Sequence, residues 1–168
     1  VRPKVFKPVF NNTKEGEFTT FEIAHPYYEN RLTLLSSIIE KSKKINYKNA
    51  KVILAAGYGI ASKKESFEKL RKIADATGAM FAVSRKVVDL GYVSREYQIG
   101  QTGSYTEADT YIAFGISGAI QHIAGMKNCK NIVSINIDPD AEIFKYSDYK
   151  IVADANDIID DIFSKIVT

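Results

Sequence analysis

The sequence predicts an α/β fold, with a doubly wound parallel sheet of about five to six strands and helices on both faces. From Lys51 onward, short apolar runs rich in β-branched residues alternate with longer segments of helical length. The run Val52–Ala56 is apolar throughout, as expected of a strand that is covered on both faces. Parallel neighbours need a crossover of a dozen or more residues, and the spacing between these runs supplies it. Together these features indicate a Rossmann-like nucleotide-binding domain.

Five strands follow one another along this part of the chain. After the first, they are predicted at 80–83, 110–114, 132–135 and 149–152. A helix is predicted from Ser62, ended by Gly78, and another at 156–166 closes the chain. In sheets of this type ligands bind at the carboxyl ends of the strands. Side chains that follow a strand end should therefore converge on one rim, namely Tyr58, Ser84, Arg85, Ser117, Asn136 and Asp154.

The composition limits the function classes. A chain of 168 residues with 45% hydrophobic and 26% charged residues is long enough for one globular domain. The net charge of +3 is spread along the sequence, so nucleic-acid binding is not indicated. No apolar run reaches the ~18 residues of a membrane span, and no signal-peptide pattern is present. Cys129 is the only cysteine, which excludes an internal disulfide and favours a reducing, cytoplasmic setting.

The stretch from Gly100 to His122 carries the strongest functional signal. It reads as a glycine loop that holds Gln101 and Thr102, then a short buried strand, then a turn into a helix. Ser117 is a good N-cap and Gly118 has no side chain, so the helix start would leave backbone N–H groups open to an anionic ligand. His122 is expected on the second turn of that helix.

The sequence partly matches two known motifs, a dinucleotide-binding fingerprint and a nucleophile elbow, but completes neither. The pattern Gly57-x-Gly59-x-x-Ser62 nearly matches the dinucleotide fingerprint, but its third position is not glycine. The second strand is not followed by an Asp or Glu that could bind a ribose. Ser84 and Arg85 occupy this place, as would suit an NADP-binding protein. The run around Ser117 fails the nucleophile-elbow spacing, and no suitable histidine and acid follow it, so a serine hydrolase is rejected.

The motifs in combination resemble the FAD-binding domain of the electron transfer flavoprotein alpha subunit. The resemblance covers roughly Lys51 to the C-terminus, in order and without large gaps. Its residues are Ser84-Arg85, Val88-Asp89, Gly91, Gln98-Ile99-Gly100-Gln101-Thr102-Gly103, Ser117-Gly118-Ala119-Ile120-Gln121-His122, Ala124-Gly125-Met126, Ile135-Asn136, Asp138-Pro139, Ile143-Phe144 and Asp148-Tyr149.

The resemblance implies FAD as the cofactor and assigns roles to particular residues. Arg85 would lie beside the isoalloxazine ring, where a permanent cation raises the reduction potential. His122 would stabilise charge that develops at the pyrimidine end of the ring. Gln101 and Thr102 would hold the ring edge and ribityl chain, and Asn136 with Asp154 the AMP half. The full set of expected cofactor-binding residues is Tyr58, Ser84, Arg85, Ile99, Gly100, Gln101, Thr102, Gly103, Ser117, Gly118, Ala119, Ile120, Gln121, His122, Asn136, Asp154 and Ala155.

Some positions depart from the family pattern. Tyr58 stands where the family usually has an arginine, which removes a cation expected near the cofactor. Lys86 replaces a usual small residue, and Ala108 stands where proline is common. Without any role from the family, His122 could be an ordinary core histidine and Asp154 a plain helix N-cap.

The N-terminal part of the chain is expected to differ from the rest. Residues 1–10 are extended in character, 18–23 alternate as in a strand, and 28–44 have the apolar stripe of an amphipathic helix. The opening Val-Arg-Pro resembles the segment that leads into the FAD-binding domain, and the start at Val1 suggests a trimmed or excised piece. We therefore expect a linker and packing helix at 1–45 and the FAD-binding domain at 46–168. An edge hairpin of a self-contained domain remains the alternative.

The function implied by the resemblance is that of an electron carrier and not of an enzyme. Its FAD would accept electrons from a flavoprotein dehydrogenase, and an electron transfer flavoprotein beta subunit would complete a heterodimer. Two alternatives remain open: a stand-alone module that binds NADP or AMP without a redox role, and a partner-binding piece that has lost FAD. No metal site is expected.

Overall fold

The computed structural model describes residues 16–22, 35–36 and 45–166. The chain divides into two compact units, 1–41 and 42–168. Of the first unit, residues 16–22 and 35–36 are neither helix nor strand. The strand predicted at 18–23 is therefore wrong over 18–22, and the helix predicted at 28–44 is wrong at 35–36. Phe18 and Leu35 are almost fully exposed, so they lack the apolar burial that stabilises short elements. The remaining residues of these predictions, and the extended segment 1–10, lie outside the described ranges.

The second unit is built on a five-stranded parallel sheet with the strand order β2-β1-β3-β4-β5. This confirms the predicted α/β class and the doubly wound topology. The strands are β1 Val52–Ala56, β2 Met80–Val83, β3 Thr110–Phe114, β4 Asn131–Asn136 and β5 Tyr149–Val152. Four match the predicted bounds, while β4 is one residue longer at each end.

Five α-helices connect or follow the strands. Their bounds are α1 Tyr58–Ala61, α2 Lys64–Thr77, α3 Arg85–Asp89, α4 Ile120–Met126 and α5 Ala155–Ile166. The helix predicted from Ser62 is α2, which begins two residues later at Lys64, and the single turn α1 precedes it. Gly78 ends α2 in the left-handed conformation, with φ of 70°, as the sequence predicts. Three short 3-10 helices lie at Tyr47–Asn49, Arg95–Tyr97 and Glu142–Tyr146.

Successive side chains of each strand point to opposite faces of the sheet, and they pack into two separate apolar cores, one on each face. In β1, Ile53 and Ala55 pack on one face, whereas Leu54 and Ala56 pack on the other. The first core includes residues of α4 and of the 3-10 helices at Tyr47 and Glu142; the second includes residues of α1, α2 and α5. Covering both faces leaves the carboxyl edge of the sheet as the place where polar groups can reach a ligand.

Candidate functional site

The carboxyl ends of β1, β2, β3 and β4 border a cavity of about 570 Å³. This volume lies in the ordinary range for small-molecule sites. Twelve of the residues predicted from the sequence line the cavity: Tyr58, Ser84, Arg85, Ile99, Gly100, Gln101, Thr102, Ser117, Ala119, Gln121, His122 and Asn136. The strand-end convergence expected of a doubly wound sheet therefore brings most of the predicted set to one wall.

Close contacts between backbone segments shape the cavity. A Cβ on Gly57 would meet the carbonyl of Gly115, so the loops after β1 and β3 touch directly. A Cβ on Gly125 of α4 would meet the backbone nitrogen of Gly100. The backbone N–H of Gln101 also donates to the Gln121 carbonyl at 2.7 Å. The glycine loop is thus fixed against the first turns of α4.

Hydrogen bonds from neighbouring residues brace the glycine loop. The backbone N–H of Ser104 donates to the Gln98 carbonyl at 2.8 Å, and the Gln98 side chain donates from Nε2 to Oγ1 of Thr102 at 2.9 Å. Arg95 donates from Nη2 to the Thr102 carbonyl at 2.9 Å. Since Thr102 Oγ1 accepts from Gln98, its own hydroxyl proton is available to an acceptor in the cavity.

Three charged side chains of α3 lie at the mouth of the cavity. Arg85 is two-thirds exposed, and its Nε lies 3.7 Å from Oδ2 of Asp89. Lys86 places Nζ 5.7 Å from the centre of the Tyr58 ring, within range of a cation–π contact. Both cations and Asp89 line the cavity. The mouth therefore carries a net positive charge, even though Tyr58 itself supplies none.

His122 lies in the first turn of α4, not in the second as predicted, and is buried. Its Nε2 is 3.0 Å from the Tyr111 hydroxyl, while its buried Nδ1 has no hydrogen-bond partner. Burial lowers the pKa of His122 to about 4, and the Ile99 backbone carbonyl opposes this shift in part. The imidazole is consequently neutral near pH 7. Nδ1 is buried although His122 lines the cavity, so a direct hydrogen bond from it to a ligand stays a prediction.

This pKa shift predicts how stability changes with acid. Between about pH 6.5 and pH 4 the unfolded histidine is protonated while the native one is neutral, so acid favours the unfolded state. The free energy of unfolding should fall by about 3 kcal/mol over this range through His122 alone. Denaturant titrations at several pH values should show that His122→Gln removes this slope. The control His25→Gln, which keeps His122, should retain it; an unchanged slope in His122→Gln would refute the assignment.

Five predicted residues do not line the cavity. Gly103 turns beside the Gln98 carbonyl, and Gly118 packs against Ile143 at a φ of 93°. Ile120 is 73% exposed, away from the cavity lining, and Ala155 is buried at the start of α5. The remaining residue, Asp154, accepts hydrogen bonds from the backbone and side chain of Asn156, which lower the pKa of its carboxyl. A role for these five in binding stays a prediction.

The prediction that Ser117 is the N-cap of the helix is wrong. Helix α4 begins at Ile120, so its N-cap is Ala119 and not Ser117. The Ser117 carbonyl instead accepts from the Ile143 backbone N–H at 3.1 Å. This bond ties the loop after β3 to the segment after β4, and the helix begins two residues later than a Ser117 N-cap would imply. Ser117 still lines the cavity, as a loop residue.

Several lining residues were not predicted. They are Gly59, Lys86, Asp89, Gln98, Gly115 and Ile116. Asp89 lies four residues after Arg85, and this spacing on a helix could have indicated the pair. Gln98 belongs to the residues that carry the family resemblance, but its contact with Thr102 depends on the fold of the loop around it.

The cavity has features that suit a flat, polar ligand. Its glycines allow close backbone approach, its mouth carries cations, and the buried Nδ1 of His122 beside it lacks a partner. Within the described residues, no cluster of three or more His, Cys, Asp or Glu side chains could hold a metal. In the same part of the chain, no helix has the length and apolar character needed to cross a membrane.

Comparison with known proteins points to one family. Residues 46–127 match the profile of the family described as the electron transfer flavoprotein FAD-binding domain. The electron transfer flavoprotein subunit alpha of Thermoanaerobacterium thermosaccharolyticum is 39% identical over 160 residues, covering 95% of this chain and 48% of that protein. The Bacillus subtilis subunit is 45% identical over 128 residues, covering 76% and 39%. A mitochondrial subunit from Oryza sativa is 45% identical over 118 residues, covering 70% and 33%. The chain thus spans about half the length of these relatives or less.

Proposed function

Because this chain belongs to the electron transfer flavoprotein alpha-subunit family and carries its FAD-binding domain, we propose that it holds FAD in the cavity and serves as an electron carrier. The observation that supports this most is that twelve of the predicted cofactor residues line one cavity. Those residues follow different strands, so only the folded sheet unites them. When bound, FAD supplies the one- and two-electron redox chemistry.

The residues of the chain would hold and tune the cofactor in different ways. Gln101 and Thr102 lie on the braced loop, where the Thr102 hydroxyl can donate to the edge of the ring system. Arg85 offers a permanent positive charge that favours added negative charge on the ligand. Asn136 donates from Nδ2 to the Ile116 carbonyl at 2.9 Å, so it fixes the loop that would lie along the rest of the cofactor.

The partners are part of the same proposal. An electron transfer flavoprotein beta subunit would complete a heterodimer, and a flavoprotein dehydrogenase would donate electrons to it. The exposure of Arg85 and Tyr58 at the cavity mouth is in keeping with a further protein surface over the cofactor. The division into a linker and helix at 1–45 and an FAD-binding domain at 46–168, and a cytoplasmic location, also stay proposals.

The NADP alternative has one favourable observation. Arg85 and Lys86 follow β2, where an NADP-binding protein places the cation that accepts the 2′-phosphate. However, Asp89 lies 3.7 Å from Arg85 and partly offsets the cation that a 2′-phosphate would need, and the lining includes twelve of the residues expected to bind FAD. FAD therefore remains the preferred ligand.

The absorption spectrum of the purified chain tests the proposal. Protein purified from cells, or incubated with FAD and then desalted, should show the two visible bands of a bound flavin. Co-expression with a beta subunit should increase the fraction of protein that retains FAD, because a covered cofactor is released more slowly. A protein that stays colourless after FAD loading, with and without the beta subunit, would contradict the proposed function.

A further inference from the structure

A buried pair, Tyr111 and His122, lies directly behind the cavity wall. Tyr111 is fully buried in β3, and its hydroxyl oxygen is 3.0 Å from Nε2 of His122. The two rings tilt by 57° with their centres 6.2 Å apart, so the contact is made through the polar atoms rather than by stacking. His122 lines the cavity, whereas Tyr111 does not. The tyrosine can therefore act on a ligand only through the histidine.

We infer that Tyr111 is a positioning residue whose hydroxyl donates to Nε2 of His122 and so holds the imidazole as the tautomer with its proton on Nδ1. This inference rests on the proposed function only for its consequence toward FAD. The tautomer itself is a property of the chain alone.

Counting protons and acceptors decides between the two possible arrangements. If Tyr111 donates, Nε2 is satisfied and a single group, the Nδ1–H, remains without a partner. If Nε2–H donates instead, the Tyr111 hydroxyl proton has no other acceptor among the described residues, and Nδ1 is left as a bare acceptor. Two buried groups would then be unsatisfied instead of one. Buried groups without partners are disfavoured, so the arrangement in which Tyr111 donates to Nε2 is the more stable one.

The surroundings support the same arrangement. Burial raises the pKa of Tyr111 well above its usual value, so the hydroxyl keeps its proton and remains a donor. The Ile99 backbone carbonyl near the imidazole stabilises a ring N–H rather than a bare nitrogen. In addition, the hydrogen bond at one ring nitrogen sets which of the two carries the proton. His122 thus carries a neutral, buried hydrogen-bond donor, the Nδ1–H, which has no hydrogen-bond partner.

The tautomer can be measured without cofactor by ¹H–¹⁵N spectroscopy of the imidazole. The sequence has only two histidines, so a His25→Gln chain labelled with ¹⁵N reports on His122 alone. Between pH 6 and pH 8 we expect a protonated Nδ1 and an unprotonated Nε2, together with a slowly exchanging Tyr111 hydroxyl proton close to the ring. A protonated Nε2, or an even mixture of tautomers, would overturn the inference while leaving the proposed function untouched.

Substitution tests the link to FAD. Tyr111→Phe should let the tautomers mix, and it should weaken binding of reduced FAD about tenfold more than binding of oxidised FAD. The matched control is Tyr149→Phe, an exposed tyrosine on β5 that does not line the cavity; it should change neither measurement. Equal weakening in both oxidation states would mark Tyr111 as structural and refute its positioning role. Should Tyr111→Phe fail to fold, the tautomer measured in the parent chain still decides the proton assignment.

Discussion

Replacing Gly125 with alanine is expected to weaken FAD binding by more than about a hundredfold. In an exposed helix this change would stabilise the protein by about 1 kcal/mol, because alanine is the better helix former. Here the added Cβ would meet the backbone nitrogen and Cα of Gly100, which a side-chain rotation cannot relieve. The loop that carries Gln101 and Thr102 must then move away from α4. We also expect a loss of stability of about 1 to 3 kcal/mol, the usual range for overpacking.

The matched control for this substitution is Gly91→Ala. Gly91 has a φ of 76°, so alanine strains the backbone there, yet nothing lies within 4 Å of the added Cβ. Its stability should fall while its affinity for FAD, measured by fluorescence quenching, stays unchanged. Normal FAD affinity in Gly125→Ala would show that contact between the loop and α4 does not shape the binding site.

Arg85→Ala is expected to lower the first one-electron reduction potential of bound FAD by roughly 50 to 150 mV, since about 59 mV accompanies each tenfold change in a one-electron equilibrium. A permanent cation at the cavity wall favours the reduced, more negative flavin over the oxidised one. The effect should fall toward the low end of this range, because Arg85 is two-thirds exposed and lies 3.7 Å from Asp89. Spectroelectrochemical titration measures the potential directly.

Two further variants separate a local effect from a general change of charge. Arg71→Ala removes the same charge from an exposed position on α2 and should leave the potential within error of the parent. Asp89→Asn removes the anion beside Arg85 and should shift the potential in the positive direction. A potential that is unchanged in Arg85→Ala, with oxidised FAD bound normally, would refute the role taken from the family.

The sheet could be predicted from the sequence because each strand is defined locally. Runs such as Val52–Ala56 are apolar and β-branched and are bounded by glycine or polar residues, and burial on both faces leaves little freedom of interpretation. The rim residues followed from the same reasoning, because parallel strands bring their carboxyl ends together. The sequence did not reveal the one-turn helix at Tyr58, whose Gly59 N–H donates to the Gly115 carbonyl in the loop after β3.

The details of the site were less predictable because they depend on contacts between distant segments. Ser117 has the side chain of an N-cap, yet its carbonyl is bound by Ile143, and the helix starts later. Gln98 is a polar residue with no local pattern, and only the folded loop joins it to Thr102. The buried contact between Tyr111 and His122 likewise links a strand to a helix. Tertiary context overrides local preference at each of these positions.

Competitive titration of the cofactor-free chain with FAD, FMN and NADP tests directly whether this cavity is an FAD site. We expect FAD to bind at least about tenfold more tightly than FMN, because the cavity extends from Thr102 to Asn136. We also expect FAD to bind far more tightly than NADP, because twelve of the residues expected to bind FAD line the cavity. Binding of NADP as tight as, or tighter than, that of FAD would show that the cavity is not an FAD site.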